Sequence, residues 1–248
     1  DAQHVSKIYE ELAPWYSLLT SPEDYAEEAR WYADLLRGHA AREVREVLEL
    51  GCGSGANASH MKAWFQMVVS DLSPAMLREC SRINPDLEQH VGDLRSLRLD
   101  RRFDAVFVHD AASYLLRPDE VTAAVETAKV HLRPGGVVLF CPDDLAENFA
   151  PGTESGGHDA ADGRGLRYLE WSRAGERDEE VVTDYALLLR EADGSVRVAY
   201  DRHLTGRLSG TVWTSALTEA GFEVRKVPLQ HSEVDEGRHH AFVGVLAL

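Results

Sequence analysis

Residues 47–55 read Val-Leu-Glu-Leu-Gly-Cys-Gly-Ser-Gly: an apolar strand with an acid inside it, then three alternating glycines. Residues 47–50 are short and nearly all apolar, as expected of a strand covered on both faces. Gly51, Gly53 and Gly55 carry no Cβ, so the chain after the strand can turn sharply and approach a ligand closely. Glu49 puts a carboxylate at the carboxyl edge of the strand, and in open α/β sheets that edge is where nucleotide-like ligands bind. The spacing is not the G-x-G-x-x-G dinucleotide fingerprint, because Ala58 stands at the third glycine position and an acid precedes the loop. It argues against a nicotinamide-binding oxidoreductase.

Strand and helix signals alternate outward from this loop. Residues 44–50, 67–70, 87–92, 103–109 and 137–141 read as strands; 58–63, 74–83 and 119–131 read as helices, the last ended by Pro134-Gly135-Gly136. Residues 222–228 and 240–246 follow a helix at 213–220 and return to the sheet as its last two strands. The pattern predicts an α/β fold: a doubly wound, mostly parallel seven-stranded sheet, Rossmann-like, with helices on both faces. Residues 4–18 and 22–37 read as two helices, and 150–165, rich in Gly, Asp and Ala, as a mobile loop. Residues 167–173, 180–191 and 196–207 have partial period-2 character, with a hairpin signal at Asp193-Gly194, and predict a three-stranded antiparallel insertion after strand five. The expected organisation is a helical cap over 1–40, a ligand-binding domain over 41–145 and 210–248, and the insertion over 146–209 as a substrate wall or a contact with a second copy.

Composition narrows the function. The chain has 248 residues, 44% of them hydrophobic, enough for one generous domain with a full core. A net charge of −16 repels a phosphate backbone, so small molecules, cationic amines among them, are easier partners than nucleic acid. Three scattered cysteines, Cys52, Cys80 and Cys141, form neither a disulfide framework nor a metal-ligand spacing. No run approaches the roughly 18 apolar residues of a membrane span, and no charged-then-apolar leader opens the chain. The expectation is a cytoplasmic protein with no metal and no membrane partner.

The glycine loop resembles motif I of the class I S-adenosylmethionine methyltransferases, and its companions stand in the matching order. Asp71, with Leu72 after it, ends strand two; Met76 lies on the next helix; Gly92-Asp93-Leu94 ends strand three; residues 103–109 are strand four. The resemblance implies S-adenosylmethionine as cofactor. In that reading Glu49 and Gly51, Gly53 and Gly55 lie against the methionine end, and Asp71 accepts both ribose hydroxyls. Met76 covers the adenine, and Asp93 takes the adenine amino hydrogen. Over most of its length the chain resembles the aminosugar N,N-dimethyltransferases of macrolide-type antibiotic pathways. The shared texture includes Leu12-Ala13-Pro14-Trp15-Tyr16, Asp24-Tyr25, residues 101–106, Gly135-Gly136-Val137-Val138 and residues 147–152. The resemblance implies methyl transfer to a small molecule, an amine first and a hydroxyl as the alternative. A non-catalytic protein that binds S-adenosylmethionine is the rival of another class.

In those enzymes a histidine after strand four is proposed to assist deprotonation of the amine; this chain has Tyr114 at that place. A tyrosine, with an ordinary pKa of about 10, is a poor base but can orient an amine by hydrogen bond. Tyr16 and Tyr25, with Tyr9, are the tyrosines that close over the methionine carboxylate in the family. His109 and Asp110, at the end of strand four, are candidates to back the sulfonium and contact substrate. His203, fixed in the insertion's third strand, and His158, in the loop, are candidate bases at the mouth. Asp143 and Asp144 end strand five and suit a cationic substrate. His239 and His240 read as structural.

Overall fold

The computed structural model describes residues 6–232 and 239–248. β1 (Glu46–Leu50), β2 (Gln66–Asp71), β3 (Glu88–Val91), β4 (Phe103–Val108) and β5 (Leu132–Phe140) run in parallel, with β1 between β2 and β4. The chain then leaves for a second sheet of β6 (Gly152–Gly156), β7 (Gly165–Ala174), β8 (Glu180–Arg190) and β9 (Val196–Gly206), a pure antiparallel meander. β10 (Phe222–Pro228) and β11 (His240–Leu246) return, β11 pairing antiparallel to both β5 and β10. The main sheet is thus seven-stranded and mostly parallel, as the sequence predicts, and its order is β10-β11-β5-β4-β1-β2-β3.

Helices cover both faces because each inner strand alternates sides. On β4, Val106 and Val108 pack with Val125, Trp213 and Phe140 under α5 (Pro118–Val130) and α6 (Gly210–Glu219). Ala105 and Phe107 pack oppositely with Leu36, Met61 and Leu77 under α2 (Ala26–His39), α3 (Ala56–Met61) and α4 (Pro74–Ile83). All six β4 side chains are buried. Burying each large apolar side chain contributes about 1.5–3 kcal/mol.

Three expectations need correction. The helix expected over 4–18 is broken into 3₁₀ turns at Lys7–Tyr9 and Ala13–Trp15 and one helical turn, α1 (Tyr16–Leu19); His4 and Val5 lie outside the described residues. Pro14 lacks the N–H a continuous helix needs and is tolerated only in a first turn. The insertion has four strands, since part of the supposed loop at 150–165 is β6. β6 is a polar edge strand with nearly every side chain exposed, held by backbone pairing to β7, so it has no apolar alternation to read. β5 begins at Leu132, which places Pro134-Gly135-Gly136 inside the strand at a register shift opposite Phe103 and Ala105.

Strand register sorts the second sheet into two faces. Leu169, Ala186 and Tyr200 stand opposite one another, as do Trp171, Asp184 and Arg202, and all six point outward. Glu170 pairs with Tyr185 and Asp201, and Ser172 with Thr183 and His203, on the inner face.

Candidate active site

The glycine loop sits at the carboxyl end of β1, tied to the neighbouring strand. Gly51 and Cys52 both donate to the Ser70 carbonyl, at 2.8 and 2.9 Å, and Gly55 N–H closes the turn on the Cys52 carbonyl at 2.8 Å. Gly51, Gly53 and Gly55 all lie in the left-handed region, at φ 76°, 55° and 75°, which side chains rarely adopt. Gly55 starts α3. A Cβ on it would come 2.5 Å from Cys80 Sγ and 2.7 Å from Asn84 Nδ2.

Asp71 holds this loop from β2. Its Oδ2 accepts the Gly53 N–H and its Oδ1 the Ser73 N–H, each at 2.8 Å. A carboxylate has about four lone-pair sites, so two remain for a ligand's hydroxyls.

A cavity opens along these carboxyl ends. Tyr16, Tyr25, Glu49, Gly51, Gly53, Asp71, Leu72, Gly92, Asp93, Leu94, His109, Asp110 and Tyr114 all line it. Three predicted site residues do not. Gly55 shapes the turn from behind. Met76 is fully buried against Ala13 and Ala75, so it does not present itself to an adenine; Leu72, 49% exposed, is the large apolar side chain offered there instead. His203 lies behind Tyr114, only 6% exposed, and is not at a mouth. His158 pairs with Asp24 at 3.2 Å and its N–H with the Leu18 carbonyl. Asp93 is gripped by Arg95, whose Nη2 lies 2.7 Å from Oδ2 and whose backbone N–H lies 2.8 Å from Oδ1.

Two buried acceptors at the cavity lack partners: Glu49 Oε2 and Asn57 Oδ1. Burial and the nearby Cys80 push the Glu49 carboxyl well above the usual range. Buried acceptor oxygens left without partners on the lining of one cavity are relieved by an ammonium group. Those acceptors, the free lone pairs of Asp71 and the apolar Leu72 and Leu94 fit an amino-acid-bearing nucleoside, as S-adenosylmethionine is. Tyr16 and Tyr25 hydroxyls, pushed up by burial, remain neutral donors at the same wall.

At the end of β4 the cavity shares Tyr25, His109 and Asp110 with a second hollow lined also by Glu28, Asp143 and His240. His109 Nδ1 lies 2.8 Å from Asp110 Oδ1, and Nε2 lies 3.6 Å from Glu28 Oε1. Burial opposes charge on His109, but Asp110 and Glu28 outweigh it and push the imidazole up to about 10. Burial and the adjacent Asp110 push Asp143 well above its ordinary value, and the two carboxyls share a hydrogen bond. Asp143 Oδ2 also accepts from Ser113 Oγ at 2.9 Å. His239, expected to be structural, bonds the Asp143 carbonyl through Nδ1 at 2.6 Å and lines the second hollow.

Glu28, Asn57 and Asp201 escaped the sequence reading. Glu28 and Asn57 meet His109 only through the packing of α2 on α3. Asp201, two residues before His203 on a strand and therefore on the same face, was legible from spacing alone.

Comparison with known proteins agrees with this geometry. The methyltransferase domain family matches residues 47–136. The chain is 33% identical to the dTDP-3-amino-3,4,6-trideoxy-alpha-D-glucopyranose N,N-dimethyltransferase of Streptomyces venezuelae, across 90% of this chain and 92% of that one. The crystal structure of Streptomyces venezuelae DesVI superposes with a TM-score of 0.84 at 31% identity, covering 95% of this chain and 98% of that one. That of CalS10 with S-adenosylmethionine bound, an amino pentose methyltransferase from Micromonospora echinaspora involved in calicheamicin biosynthesis, superposes at 0.76 with 26% identity, covering 99% and 98%.

Proposed function

The chain belongs to the aminosugar N,N-dimethyltransferase family of S-adenosylmethionine-dependent methyltransferases, and we propose that its acceptor is the amine of a nucleotide-linked amino sugar in a specialised biosynthetic pathway. The observation that carries the choice of an amine is the crowding of Glu28, Asp110 and Asp143 where the two hollows share a wall. Burial raises Glu28 and Asp143 while Asp110 is held low beside His109, and an incoming cation stabilises such a cluster, which a hydroxyl acceptor does not supply.

S-adenosylmethionine, when bound, would supply an electrophilic methyl group that a nitrogen lone pair attacks in line, the sulfur leaving as the neutral thioether. The chain's part is mainly positioning, which supplies much of the rate when the methyl is already activated. Asp71 accepts from the ribose hydroxyls, Glu49 and Asn57 from the α-ammonium, and Leu72 and Leu94 flank the adenine. Asp110, on the wall common to both hollows, orients the amine while Asp143 and His109 hold its carboxylate in place.

Mass spectrometry of product tests the reading. The enzyme with S-adenosylmethionine and a dTDP-linked 3-amino sugar is expected to yield mono- and then dimethylated amine. Methylation of the corresponding 3-hydroxy sugar in preference to the amine refutes it.

The outer face of the second sheet exposes Leu169, Trp171, Leu188, Val198 and Tyr200 side by side, and a second copy of this chain is its proposed occupant. Sedimentation is expected to show a dimer that Trp171→Asp with Val198→Asp separates; a monomeric parent protein refutes it. The three free, buried cysteines fit a reducing cytoplasm, and no described helix is long and apolar enough to cross a membrane.

A further inference from the structure

Tyr114 does not end the polar chain at the cavity wall. Its hydroxyl lies 2.8 Å from the Tyr9 hydroxyl and 2.9 Å from His203 Nδ1. On the other side of the ring, His203 Nε2 lies 3.3 Å from Asp201 Oδ2, which also accepts the Ile8 N–H at 2.9 Å. His203 is 6% and Asp201 2% exposed, so neither bonds bulk water. Tyr9 and Tyr114 both line the cofactor cavity.

These contacts set the direction of every proton. Burial works against ionisation of Asp201, but the bonds from His203 and from the Ile8 and Lys7 backbone outweigh it and hold the carboxyl low. An ionised carboxylate only accepts, so His203 donates to it from Nε2, and the tautomer with its hydrogen there has Nδ1 as an acceptor. In that tautomer Tyr114 donates to Nδ1 and accepts from the Tyr9 hydroxyl, which leaves its oxygen one further lone pair. Burial pushes the Tyr114 hydroxyl upward, so it remains O–H at neutral pH. The groups around the His203 ring are Tyr9 from the N-terminal turn, Tyr114 after β4, Tyr185 on β8 and Asp201 on its own strand; Glu170 on β7 bonds Tyr185.

We propose that Tyr114 and His203 relay a proton away from the acceptor nitrogen, with Asp201 as the positioning residue that fixes the imidazole. The proposal rests on N-methylation as the reaction. A nitrogen that has just gained a methyl group is an ammonium. Its N–H bond breaks as a bond to Tyr114 Oη forms, and the hydroxyl's original proton passes to His203 Nδ1. Tyr114 ends neutral, the nitrogen recovers its lone pair, and the positive charge rests on the imidazolium beside Asp201. That lone pair is what a second methylation requires, so the relay bears on the second transfer more than on the first.

The test measures rates of first and second methylation of the dTDP-linked 3-amino sugar from pH 6 to 10, with S-adenosylmethionine affinity by calorimetry. His203→Gln and Asp201→Asn are expected to lower kcat for the second transfer at pH 7 by about tenfold or more, at the low end of what a positioned acid–base group supplies. Monomethylated product accumulates while cofactor affinity stays within about twofold, a small change on the free-energy scale. The deficit closes once pH exceeds the amine's own pKa, about 8–10 for alkyl amines, because solvent then removes the proton. Asp201→Glu restores part of the rate, and Tyr114→Phe reproduces the His203→Gln pattern and decides the matter if that variant does not fold. An unchanged product ratio overturns the relay, as does a deficit equal at every pH. If the parent enzyme methylates a hydroxyl and no amine, the failure is that of the substrate reading, on which the relay depends.

Discussion

Asp71→Asn exposes the logic of the cofactor site most directly. In the parent protein each carboxylate oxygen accepts one backbone N–H, from Gly53 and from Ser73, at 2.8 Å. That leaves one lone pair per oxygen for two ribose hydroxyls. An asparagine has one accepting oxygen and an NH₂ group that faces either Gly53 or Ser73 as a second donor. The ligand therefore loses at least one charge-assisted hydrogen bond and weakens the other, each worth about 1.5–3 kcal/mol. A net loss of about 2–4 kcal/mol raises Kd for S-adenosylmethionine by about 30- to 700-fold, at 1.4 kcal/mol per tenfold. Calorimetric titration measures it. The orphaned N–H also destabilises the ligand-free fold by about 1–3 kcal/mol, visible as a lower Tm. An affinity within about threefold of the parent refutes the assignment of Asp71 to the ribose.

Three further perturbations follow the same reasoning. Gly55→Ala forces a Cβ to 2.5 Å from Cys80 Sγ at φ 75°, and is expected to cost about 1–3 kcal/mol and lower Tm by several degrees in thermal melts. Glu49→Gln removes a buried carboxyl whose pKa is raised by burial and by Cys80. Because the native state holds that proton more tightly than the unfolded chain, parent stability falls as pH rises above about 4.3. The variant's Tm is expected to equal or exceed the parent's at pH 7 while its affinity for S-adenosylmethionine falls. His109, pushed up to about 10 against burial by Asp110 and Glu28, stabilises the fold fully below about 6.5. That contribution fades as pH rises toward 10, so urea midpoints measured over this window are expected to decline less in His109→Asn than in the parent.

What was legible in the sequence follows from burial. The inner strands β1 and β4 are buried along nearly their whole length and carry mainly apolar residues because helices cover both faces, and that pattern is read without any knowledge of partners. β6 carries no such signal, since its polar side chains face water and only its backbone pairs. Local motifs placed Glu49, Asp71 and Asp93 correctly at strand ends, where geometry is dictated by the strand itself. Met76 shows the limit: the helix was foreseen, but its buried face runs through Ala75, Met76, Leu77 and Cys80, so the side chain turns into the core. Glu28 and Asn57 reach His109 only through contacts between distant segments, which no local pattern encodes.

The N-terminal turn at Lys7–Tyr9 touches three parts of the molecule at once. The Tyr9 carbonyl accepts from Ser73 Oγ at 2.6 Å, its hydroxyl meets Tyr114, and Ile8 N–H meets Asp201. Lifting this turn to exchange the nucleoside on that side breaks the bonds to Tyr114 and Asp201 in the same movement. If cofactor exchanged by that route, exchange and dismantling of the proposed proton path would be one kinetic event. A methyl donor that entered by lifting this turn would reach Tyr114, His203 and Asp201 in alignment only after the turn had closed again.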